Sequence, residues 1–349
     1  MGRPRQSTAR RPTIGDVAKL AGVSRMTVSR VVRSPVLVVD ATRERVRRAI
    51  ADLGYVPDRG AGSLSSRRTG FIALMLPTLT NANFAAVAHG LTEALRPADY
   101  DLLIAYTDYS HAEEERQLRN LLARRPEAIV VTGAIHRRAT ARLLIAADVP
   151  VVEVADMPGR PIDHVVGFSN YQAGRCAARH LLGRGYRRPG AIAAAADGDV
   201  VDHRGEERMR GFEDELRLAG LPLDFVLRRG SAPVSYDHGA SCAARLLDAP
   251  SQPDAVFAVS DLSAVGFVME CQRRGIAVPD DVAVIGFGDF EIGREINPPL
   301  STVRVDFRAL GLRTGALLLE LLAAGGEAGE PRIIDVGLDV IERASVGRR

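Results

Sequence analysis

Two groups of side chains in this sequence of 349 residues combine a type and a spacing suited to binding chemistry. The first group lies in the run SRMTVSR at residues 24–30. If this run is helical, its valine faces inwards and its long or polar side chains face outwards. Those outward side chains are Arg25, Met26, Thr27, Ser29 and Arg30. Arginine binds guanine in a bidentate manner and hydroxyl groups bind phosphates, so this face suits the major groove of DNA.

The second group is a pair of arginines, Arg204 and Arg208, in a predicted helix. Residues four positions apart share one face of a helix. Two neighbouring guanidinium groups suit a carboxylate or a phosphate. Glu206 and Glu207 lie close by, so an ordinary surface pair is the alternative. Residues 77–84 (PTLTNANF) supply amides, hydroxyls and one ring, which suit a polar, ring-sized or chain-like ligand.

The sequence contains no motif that is typical of catalysis. It has neither a GxxxxGK[ST] loop nor a GxSxG motif, and its seven histidines lack the spacing of metal ligands. Three scattered cysteines, Cys176, Cys242 and Cys271, fit neither a metal site nor a disulfide framework. We therefore expect a binding protein without metal or cofactor. The alternative is an enzyme that uses Glu153, Asp156 or the thiol of Cys271.

The outward face at residues 24–30 needs a framework, and residues 12–32 predict one. Thr13 is a good N-cap for a first helix, and Ser24 is a good N-cap for a second. Gly22 lies between them and can adopt the positive φ of a tight turn. A third helix is predicted over residues 42–53. The inward faces are predicted to be Ile14, Val17, Ala18 and Leu20 on the first helix and Val28, Val31 and Val32 on the second.

This pattern predicts a helix-turn-helix whose second helix enters the major groove, although an ordinary helical hairpin would share the spacing. The charge distribution favours DNA binding. Residues 1–70 contain fifteen Arg or Lys and five Asp or Glu, a net charge of +10. Because the whole chain carries +3, residues 71–349 carry about −7. A basic head joined to an acidic body is typical of a nucleic-acid-binding module attached to a second domain.

From Phe71 onwards, apolar strands alternate with helices. This alternation predicts two similar lobes with parallel sheets covered on both faces, so the fold class of the whole chain is α + α/β. Ligands bind beyond the carboxyl ends of such strands, which places a site in the cleft between the lobes. The predicted domains are a head (1–58), a hinge (59–69) and a core (70–349), with an N-lobe at about 70–167 and 300–328 and a C-lobe at about 168–299 and 329–349.

The sequence also indicates where in the cell the protein is found. No stretch approaches eighteen consecutive apolar residues, and the basic N-terminus lacks the apolar segment of a signal peptide. We therefore expect a cytoplasmic protein that does not contact a membrane. A solute-binding protein for transport would share the two-lobed body, but it would need export.

These features together resemble the lactose-repressor (LacI/GalR) family of bacterial transcription regulators along nearly the whole chain. The residues that carry the resemblance are TIGDVAKLAGVSRMTVSRVV (13–32), TRERVRRAIADLGYVPD (42–58), RMRGFEDEL (208–216), AVSDLSAVGFVMECQRRGIAVPDDVAVIGFGD (258–289) and NPPLSTV (297–303). Segments such as LPTLTN and ECQRRGIAVPDD most resemble the branch of the family that controls gluconate operons.

The resemblance implies a homodimer on a palindromic double-stranded operator. Arg25, Met26 and Arg30 would read base edges, with Thr13, Ser24, Thr27 and Ser29 on phosphates and Tyr55 and Arg59 as further DNA contacts. In relatives the hinge orders on DNA and a leucine, here Leu64, wedges into the minor groove. Gly60 and Gly62 replace better helix formers, each at a cost of about 1 kcal/mol, so this hinge should be harder to order.

The resemblance also implies a small-molecule effector in the cleft. Sugar-binding relatives place an aspartate where this sequence has Gly288, with Asp289 beside it. The loss of that acid and the presence of two arginines favour a sugar acid such as gluconate or a phosphorylated or keto derivative. The expected effector-binding residues are Asn81, Asn83, Phe84, Glu153, Asp156, Arg204, Arg208, Asp261 and Asp289, although Asp261 could equally cap its own helix.

We expect the effector to close the cleft, separate the two hinges and lower operator affinity. A regulator of a neutral sugar, or a purine regulator with corepression, is the alternative within the family. The C-terminal sequence lacks a leucine heptad, which favours a dimer over a tetramer.

Overall fold

The computed structural model describes residues 10–57, 69–325 and 330–349. The chain forms two compact units that divide between Thr69 and Gly70. Arg59, Leu64 and the rest of the predicted hinge before Thr69 lie outside the described residues, so their roles stay predictions. Among the residues that the structure describes, no helix has the length and apolar character needed to cross a bilayer.

Within residues 10–57, the first unit contains three α-helices: α1 (Ile14–Ala21), α2 (Arg25–Arg33) and α3 (Asp40–Leu53). A short 3₁₀ turn at Pro35–Leu37 connects α2 to α3. Gly22 follows α1 with a φ of 64°, which confirms the predicted left-handed turn. The small apolar core consists of Val17, Ala18, Ala21, Val28, Val31, Val46 and Ala49.

Two of the predicted inward residues do not belong to this core. Leu20 is 55% exposed and Val32 is 39% exposed, so both expectations were wrong. In helices of eight and nine residues, each face spans about two turns. The spacing of apolar residues therefore predicts the centre of the buried face reliably, but it does not predict which residues at the edges of that face are buried. The third helix begins at Asp40, two residues before the predicted start.

The second unit contains twelve strands and nine helices within the described residues. In chain order these are β1 (Phe71–Leu76), α4 (Ala82–Leu95), β2 (Asp101–Tyr106), α5 (His111–Leu122), β3 (Ile129–Thr132), α6 (Arg138–Ile145), β4 (Val151–Val154), β5 (His164–Gly167), α7 (Asn170–Gly183), β6 (Pro189–Ala193), α8 (His203–Leu218), β7 (Val226–Arg228), α9 (Tyr236–Leu247), β8 (Ala255–Ala258), α10 (Asp261–Arg273), β9 (Ala283–Phe287), α11 (Glu291–Glu295), β10 (Ser301–Arg304), α12 (Phe307–Ala323), β11 (Ile333–Asp335) and β12 (Asp339–Ile341).

The strands form two six-stranded sheets, one in each lobe. The N-lobe sheet has the order β11-β5-β4-β3-β1-β2 and is parallel throughout. The C-lobe sheet has the order β12-β10-β9-β8-β6-β7 and is parallel except for the pairing of β12 with β10. Helices cover the faces of both sheets, so central strands such as β1 are almost wholly apolar and buried. The predicted α + α/β fold class is confirmed.

The chain crosses between the lobes three times. The first crossing follows β5, close to the expected residue 167. The second follows β10, because β10 extends the C-lobe sheet beside β9, with Val303 opposite Phe287. The third lies between β11, which pairs with β5 in the N-lobe, and β12. The predicted lobe boundaries at about 299/300 and 328/329 are therefore corrected to about 305 and 337. The prolines before β10 mark a turn within one lobe.

The helix that carries the arginine pair is held very close to its neighbour. A Cβ on Gly174 of α7 would lie 1.8 Å from the carbonyl oxygen of Arg208, and a Cβ on Gly211 of α8 would lie 2.0 Å from that of Tyr171. Only glycine permits this approach of two helix backbones. The contact therefore sets the position of α8 along α7 in the C-lobe.

Candidate functional site

The predicted DNA-contacting face of α2 is open to solvent. The valines Val28 and Val31 are buried, as predicted, so the opposite face of the helix projects outwards. Met26 is 66% exposed, although an apolar side chain of this size usually packs inside. The outward residues are Ser24, Arg25, Met26 and Arg30, which are exposed, and Thr27 and Ser29, which are half-buried.

Two of the residues predicted to contact phosphates through their hydroxyls, Thr13 and Ser24, also cap helices. Thr13 forms a capping box with Asp16: its Oγ donates to the carboxylate at 2.6 Å, and its backbone N–H donates to the same oxygen at 2.8 Å. These hydrogen bonds lower the pKa of Asp16. The Oγ of Ser24 accepts from the backbone N–H of Thr27 at 3.1 Å. Both predicted N-caps are confirmed.

Two other head residues have positions that the sequence did not reveal. The guanidinium group of Arg25 lies against the backbone of α1, 3.0 Å from where a Cβ on Gly15 would be. Glycine at this position therefore leaves room for the arginine. Tyr55 is half-buried and packs against the three-helix core, so the head uses it structurally whatever contact it makes with DNA.

In the second unit, a cleft lies where the carboxyl ends of the two sheets meet. The lining comes from the ends of β1, β2 and β4 to β10 and from the segments that follow them, as the strand-end rule predicts. Its polar side chains are Thr78, Thr80, Asn81, Asn83, Tyr109, Asp202, Arg204, Arg208 and Ser260. Its apolar side chains are Phe84, Ala155, Phe168, Pro233, Val234, Val259, Leu262, Phe287, Phe290 and Phe307.

Arg208 is held entirely by the C-lobe and by the turn that joins the two lobes. Its guanidinium carbon lies 4.2 Å from the centre of the Phe287 ring, and Nη1 donates to Oδ1 of Asn170 at 2.5 Å. Oδ2 of Asp202 is 4.0 Å from Nη2. Burial lowers the pKa of Arg208 to about 10, so it stays charged at neutral pH. Its Nε is buried and has no hydrogen-bond partner among the described residues.

Arg204 reaches across to the N-lobe. Nη1 donates to the carbonyl oxygen of Thr132 at 3.5 Å, and the guanidinium lies 5.6 and 5.8 Å from the ring centres of Phe84 and Tyr109. The residue is 9% exposed. Within the part of the chain that the structure describes, no carboxylate forms an ion pair with it. Burial, reinforced by the nearby carboxylate of Asp202, raises the pKa of Tyr109 above its ordinary value.

Glu153 does not line the cleft, which corrects one expectation. It is 1% exposed, and its Oε2 accepts from the backbone N–H of Ile162 at 2.6 Å. Its Oε1 lies 3.7 Å from the ring of His136, which also contacts Glu114 at 2.7 Å. These two carboxylates outweigh burial and raise the pKa of His136 to about 9.

Asp261 and Asp289 were also expected to bind the effector, but their side chains bond to other parts of the C-lobe. Asp289 forms ion pairs with Arg343 at 2.5 Å and Arg294 at 2.8 Å. Asp261 accepts from the Thr302 hydroxyl at 2.7 Å and from the Phe290 backbone N–H at 2.8 Å. Burial raises its pKa to about 7. It thus holds the loop that carries the Phe290 ring.

The remaining carboxylate expected in the cleft, that of Asp156, does not line the cleft but contacts a residue next to the lining. Its Oδ1 accepts from the Met157 backbone N–H at 2.9 Å and from the Asn170 side chain at 3.3 Å. Asp156 therefore acts on the cleft through the residue that holds Arg208. The helix cap considered for Asp261 is also corrected, because Ser260 is the N-cap of α10.

Neighbouring side chains fill the space beside Gly288, the position where the resemblance led us to look for an acid. Gly288 has a φ of 123°, and a Cβ there would lie 2.6 Å from Nδ2 of Asn83 and 2.7 Å from the Phe290 ring. Among the residues described, only Asp202 supplies a carboxylate to the cleft lining.

Sequence reasoning missed several lining residues, most importantly Asp202 and Tyr109. Asp202 is the N-cap directly before the arginine pair, and Tyr109 closely follows β2. The cap signal and the strand-end rule would have found both. Phe307 lines the cleft because the chain crosses between lobes just before it, which no local pattern shows.

Comparison with known proteins shows which family the chain belongs to. Residues 13–58 match the model of "Bacterial regulatory proteins, lacI family", and residues 178–346 match that of a "Periplasmic binding protein-like domain". The HTH-type transcriptional regulator GntR of Pseudomonas aeruginosa is 35% identical over 97% of this chain and 96% of its own length. GntR of Escherichia coli K12 is 32% identical over 97% and 99%.

A solved structure supports the same relationship. The LacI-family transcriptional regulator of Silicibacter pomeroyi covers 97% of this chain and 100% of its own, with a TM-score of 0.89 and 30% identity. The exposed second helix of the head and the two-lobed cleft agree with this relationship. The chain belongs to the lacI family of bacterial regulatory proteins and is a DNA-binding regulator of transcription rather than an enzyme.

Proposed function

We propose that this chain is a repressor that binds a palindromic operator as a homodimer and leaves it when a sugar acid occupies the cleft. Gluconate, or a phosphorylated or keto derivative, is the effector class that the cleft suits best. Arg204 carries this proposal, because it is a buried guanidinium without a carboxylate partner among the described residues. A buried charge without a counter-ion is unfavourable, and the carboxylate of a sugar acid would supply one.

The rest of the lining fits a polyhydroxylated chain. Asn81, Asn83 and Ser260 offer amide and hydroxyl groups, and Asp202 offers a carboxylate acceptor. Five phenylalanine rings give apolar surface for the C–H faces of a sugar. The buried Nε of Arg208 is a further donor that a ligand oxygen would satisfy.

The head supports the operator half of the proposal. Arg25, Met26 and Arg30 are exposed on α2, and a dimer would place its two copies of this helix in successive major grooves of a palindrome. If the effector lowers operator affinity, operator must lower effector affinity by the same factor. We propose that the hinge, with Leu64 as its minor-groove wedge, transmits this coupling.

The test is a titration of the full-length protein against a pool of palindromic operators, with and without gluconate, its phosphate and ketogluconates. We expect sequence-selective, salt-dependent binding that gluconate weakens. Arg204→Gln should keep operator binding and lose the gluconate response. Arg210→Gln is the matched control, since Arg210 lies on the same helix but is exposed and paired with Glu207.

Three outcomes would contradict the proposal. An absence of selective DNA binding would overturn the operator half. Release by a neutral sugar or a purine instead of a sugar acid would overturn the effector class. Tighter operator binding with gluconate would make the ligand a corepressor.

A further inference from the structure

A segment of the C-lobe, residues 197–203, contacts the N-lobe beside the cleft. The carboxylate of Asp199 accepts from the Ser110 hydroxyl and from the Ala112 backbone N–H, both at 2.7 Å. It also pairs with the guanidinium group of Arg137. The backbone N–H of Val201 donates to the carbonyl oxygen of Tyr109 at 3.2 Å. Four N-lobe residues thus hold one short C-lobe segment.

The contact is electrostatically well matched. Ser110 is the N-cap of α5 and Ala112 lies in its first turn, where free backbone N–H groups and the helix dipole favour an anion. The hydrogen bonds from Ala112 and Ser110 lower the pKa of Asp199, so it is ionised at neutral pH. A tight turn with Gly198 at a φ of 56° presents it.

A pair of histidines adds a second contact between the lobes. Nε2 of His111 lies 2.8 Å from Nε2 of His203. One of the two nitrogens must be an unprotonated acceptor, because two N–H groups cannot bond to each other. The contact therefore exists with at most one of the rings charged.

The cross-lobe contacts lie next to the residues that line the cleft. Tyr109 directly precedes Ser110, and Asp202 and Arg204 flank His203. We propose that residues 197–203 are a latch across the cleft and that Asp199 is a positioning residue for effector binding. By fixing the N-terminus of α8 against α5, it sets the distance from Asp202 and Arg204 to the N-lobe wall. This inference does not depend on which ligand the cleft takes.

The histidine pair makes the latch sensitive to acid. The charged groups that face it are Glu114 on α5, Asp199 in the turn, Asp202 and Arg204 on α8 and Asp156 after β4. Glu114 lies 3.7 Å from Nδ1 of His111, but it already pairs with His136. It therefore does not fully offset a second positive ring. Charging both histidines places two cations in contact and opens the latch.

Hydrogen exchange of the ligand-free, full-length protein tests the latch directly. The backbone N–H groups of Ala112 and Val201 donate across the lobes, so they should be protected. In Asp199→Asn we expect exchange at both to rise by about tenfold, because a neutral amide oxygen is a weaker acceptor than the carboxylate and no longer forms an ion pair with Arg137. Asp197→Asn is the matched control, because the Asp197 side chain is exposed on the same turn. Equal protection in Asp199→Asn and wild type would overturn the latch.

Gluconate titration tests the positioning role. We expect Asp199→Asn to bind gluconate about tenfold more weakly than Asp197→Asn, with unchanged operator affinity without ligand. As the pH falls below about 6.5, where the second ring becomes charged, wild-type affinity should fall, whereas His203→Gln keeps the hydrogen bond to His111 and should lose most of this slope. Unchanged affinity in Asp199→Asn, or an unchanged slope in His203→Gln, would overturn the proposal. If gluconate binds no variant, the effector class fails, and the exchange result still decides the latch.

Discussion

The two arginine-bearing helices of this protein hold their positive charge in opposite ways. On α2, Arg25 and Arg30 are exposed, although one side of the Arg25 guanidinium lies against the backbone of α1. On α8, Arg204 and Arg208 are 9% and 7% exposed and lie against aromatic rings. The first arrangement costs almost nothing without a ligand, whereas the second removes two charges from water.

This difference separates two kinds of binding surface. An exposed arginine adds little to the packing of the fold, so its loss should weaken ligand binding and leave the fold intact. A buried arginine is part of the packing, so its loss should affect both. The variants below test this distinction, beginning with the largest expected effect.

Arg208→Ala should abolish the gluconate response, with affinity reduced by about a hundredfold or more, as for other buried hydrogen-bonded charges. It should also lower the melting temperature, because Oδ1 of Asn170 loses its donor and the face of the Phe287 ring loses its cover. Calorimetric titration and thermal unfolding measure the two effects. The exposed Arg210→Ala should change neither. Normal gluconate binding by Arg208→Ala would show that the cleft is not the effector site.

Arg25→Ala should weaken binding to the preferred operator by about tenfold to a hundredfold, the range for one bidentate base contact. The melting temperature and the affinity for gluconate should stay at wild-type values, because the side chain is exposed. Arg47→Ala removes the same charge from α3 and serves as the control in a fluorescence anisotropy titration. An equal loss in both variants would mean that Arg25 contributes charge rather than sequence recognition.

Asp261→Asn should change how stability depends on pH. Since burial raises the pKa of Asp261 to about 7, the native state keeps a proton that the unfolded state releases near pH 4. Stability therefore falls as the pH rises from about 4 to 7 and levels off above that. Asparagine can accept from the Phe290 N–H through its oxygen and donate to the Thr302 hydroxyl oxygen through its amide, so it keeps both contacts, the second in the reverse direction, and removes this slope.

Urea unfolding at several pH values measures the difference between wild type and Asp261→Asn. We expect the variant to be at least as stable as wild type above about pH 7, where wild type holds a buried charge. Asp261→Ala, which loses both hydrogen bonds, is the control and should be less stable at every pH. A constant difference between wild type and the asparagine variant across the range would contradict the raised pKa.

Thr13→Ala should have the smallest effect, a local loss of about 1 kcal/mol from the first helix cap. Because Thr13 belongs to a capping box, the amides of α1 should exchange about fivefold faster with solvent. Thr42→Ala in α3 is the matched control, since that helix has no side-chain cap bond. Unchanged exchange in α1 would show that packing against α3 alone sustains the helix.

The head was predictable because its signals are local. Thr13, Gly22 and Ser24 act on backbone groups within three residues, so their types alone indicate the helix ends. Leu20 and Val32, which were wrongly predicted to be buried, lie at the edges of short buried faces. In helices this short, spacing alone does not show whether an edge residue is buried. The parallel sheets were predictable for a similar reason, because strands covered on both faces are continuously apolar.

The cleft was predictable in position and not in composition. Strand ends located it, and the arginine pair and the 77–84 segment were found. The carboxylates were misplaced because their partners lie far along the chain: Asp289 pairs with Arg343, 54 residues away, and Asp261 bonds to Thr302, 41 residues away. Nothing near either aspartate in the sequence indicates these partners.

The sequence by itself determined the three-helix head with its exposed recognition face, the alternation that builds two parallel sheets, and the family. Tertiary structure alone decided which acids enter the cleft, where the chain crosses between lobes, and how residues 197–203 meet α5. The physical reason is the distance along the chain over which each interaction acts. Helix caps and periodic burial act over a few residues, whereas the state of a buried charge depends on every group that folding brings within a few ångströms of it.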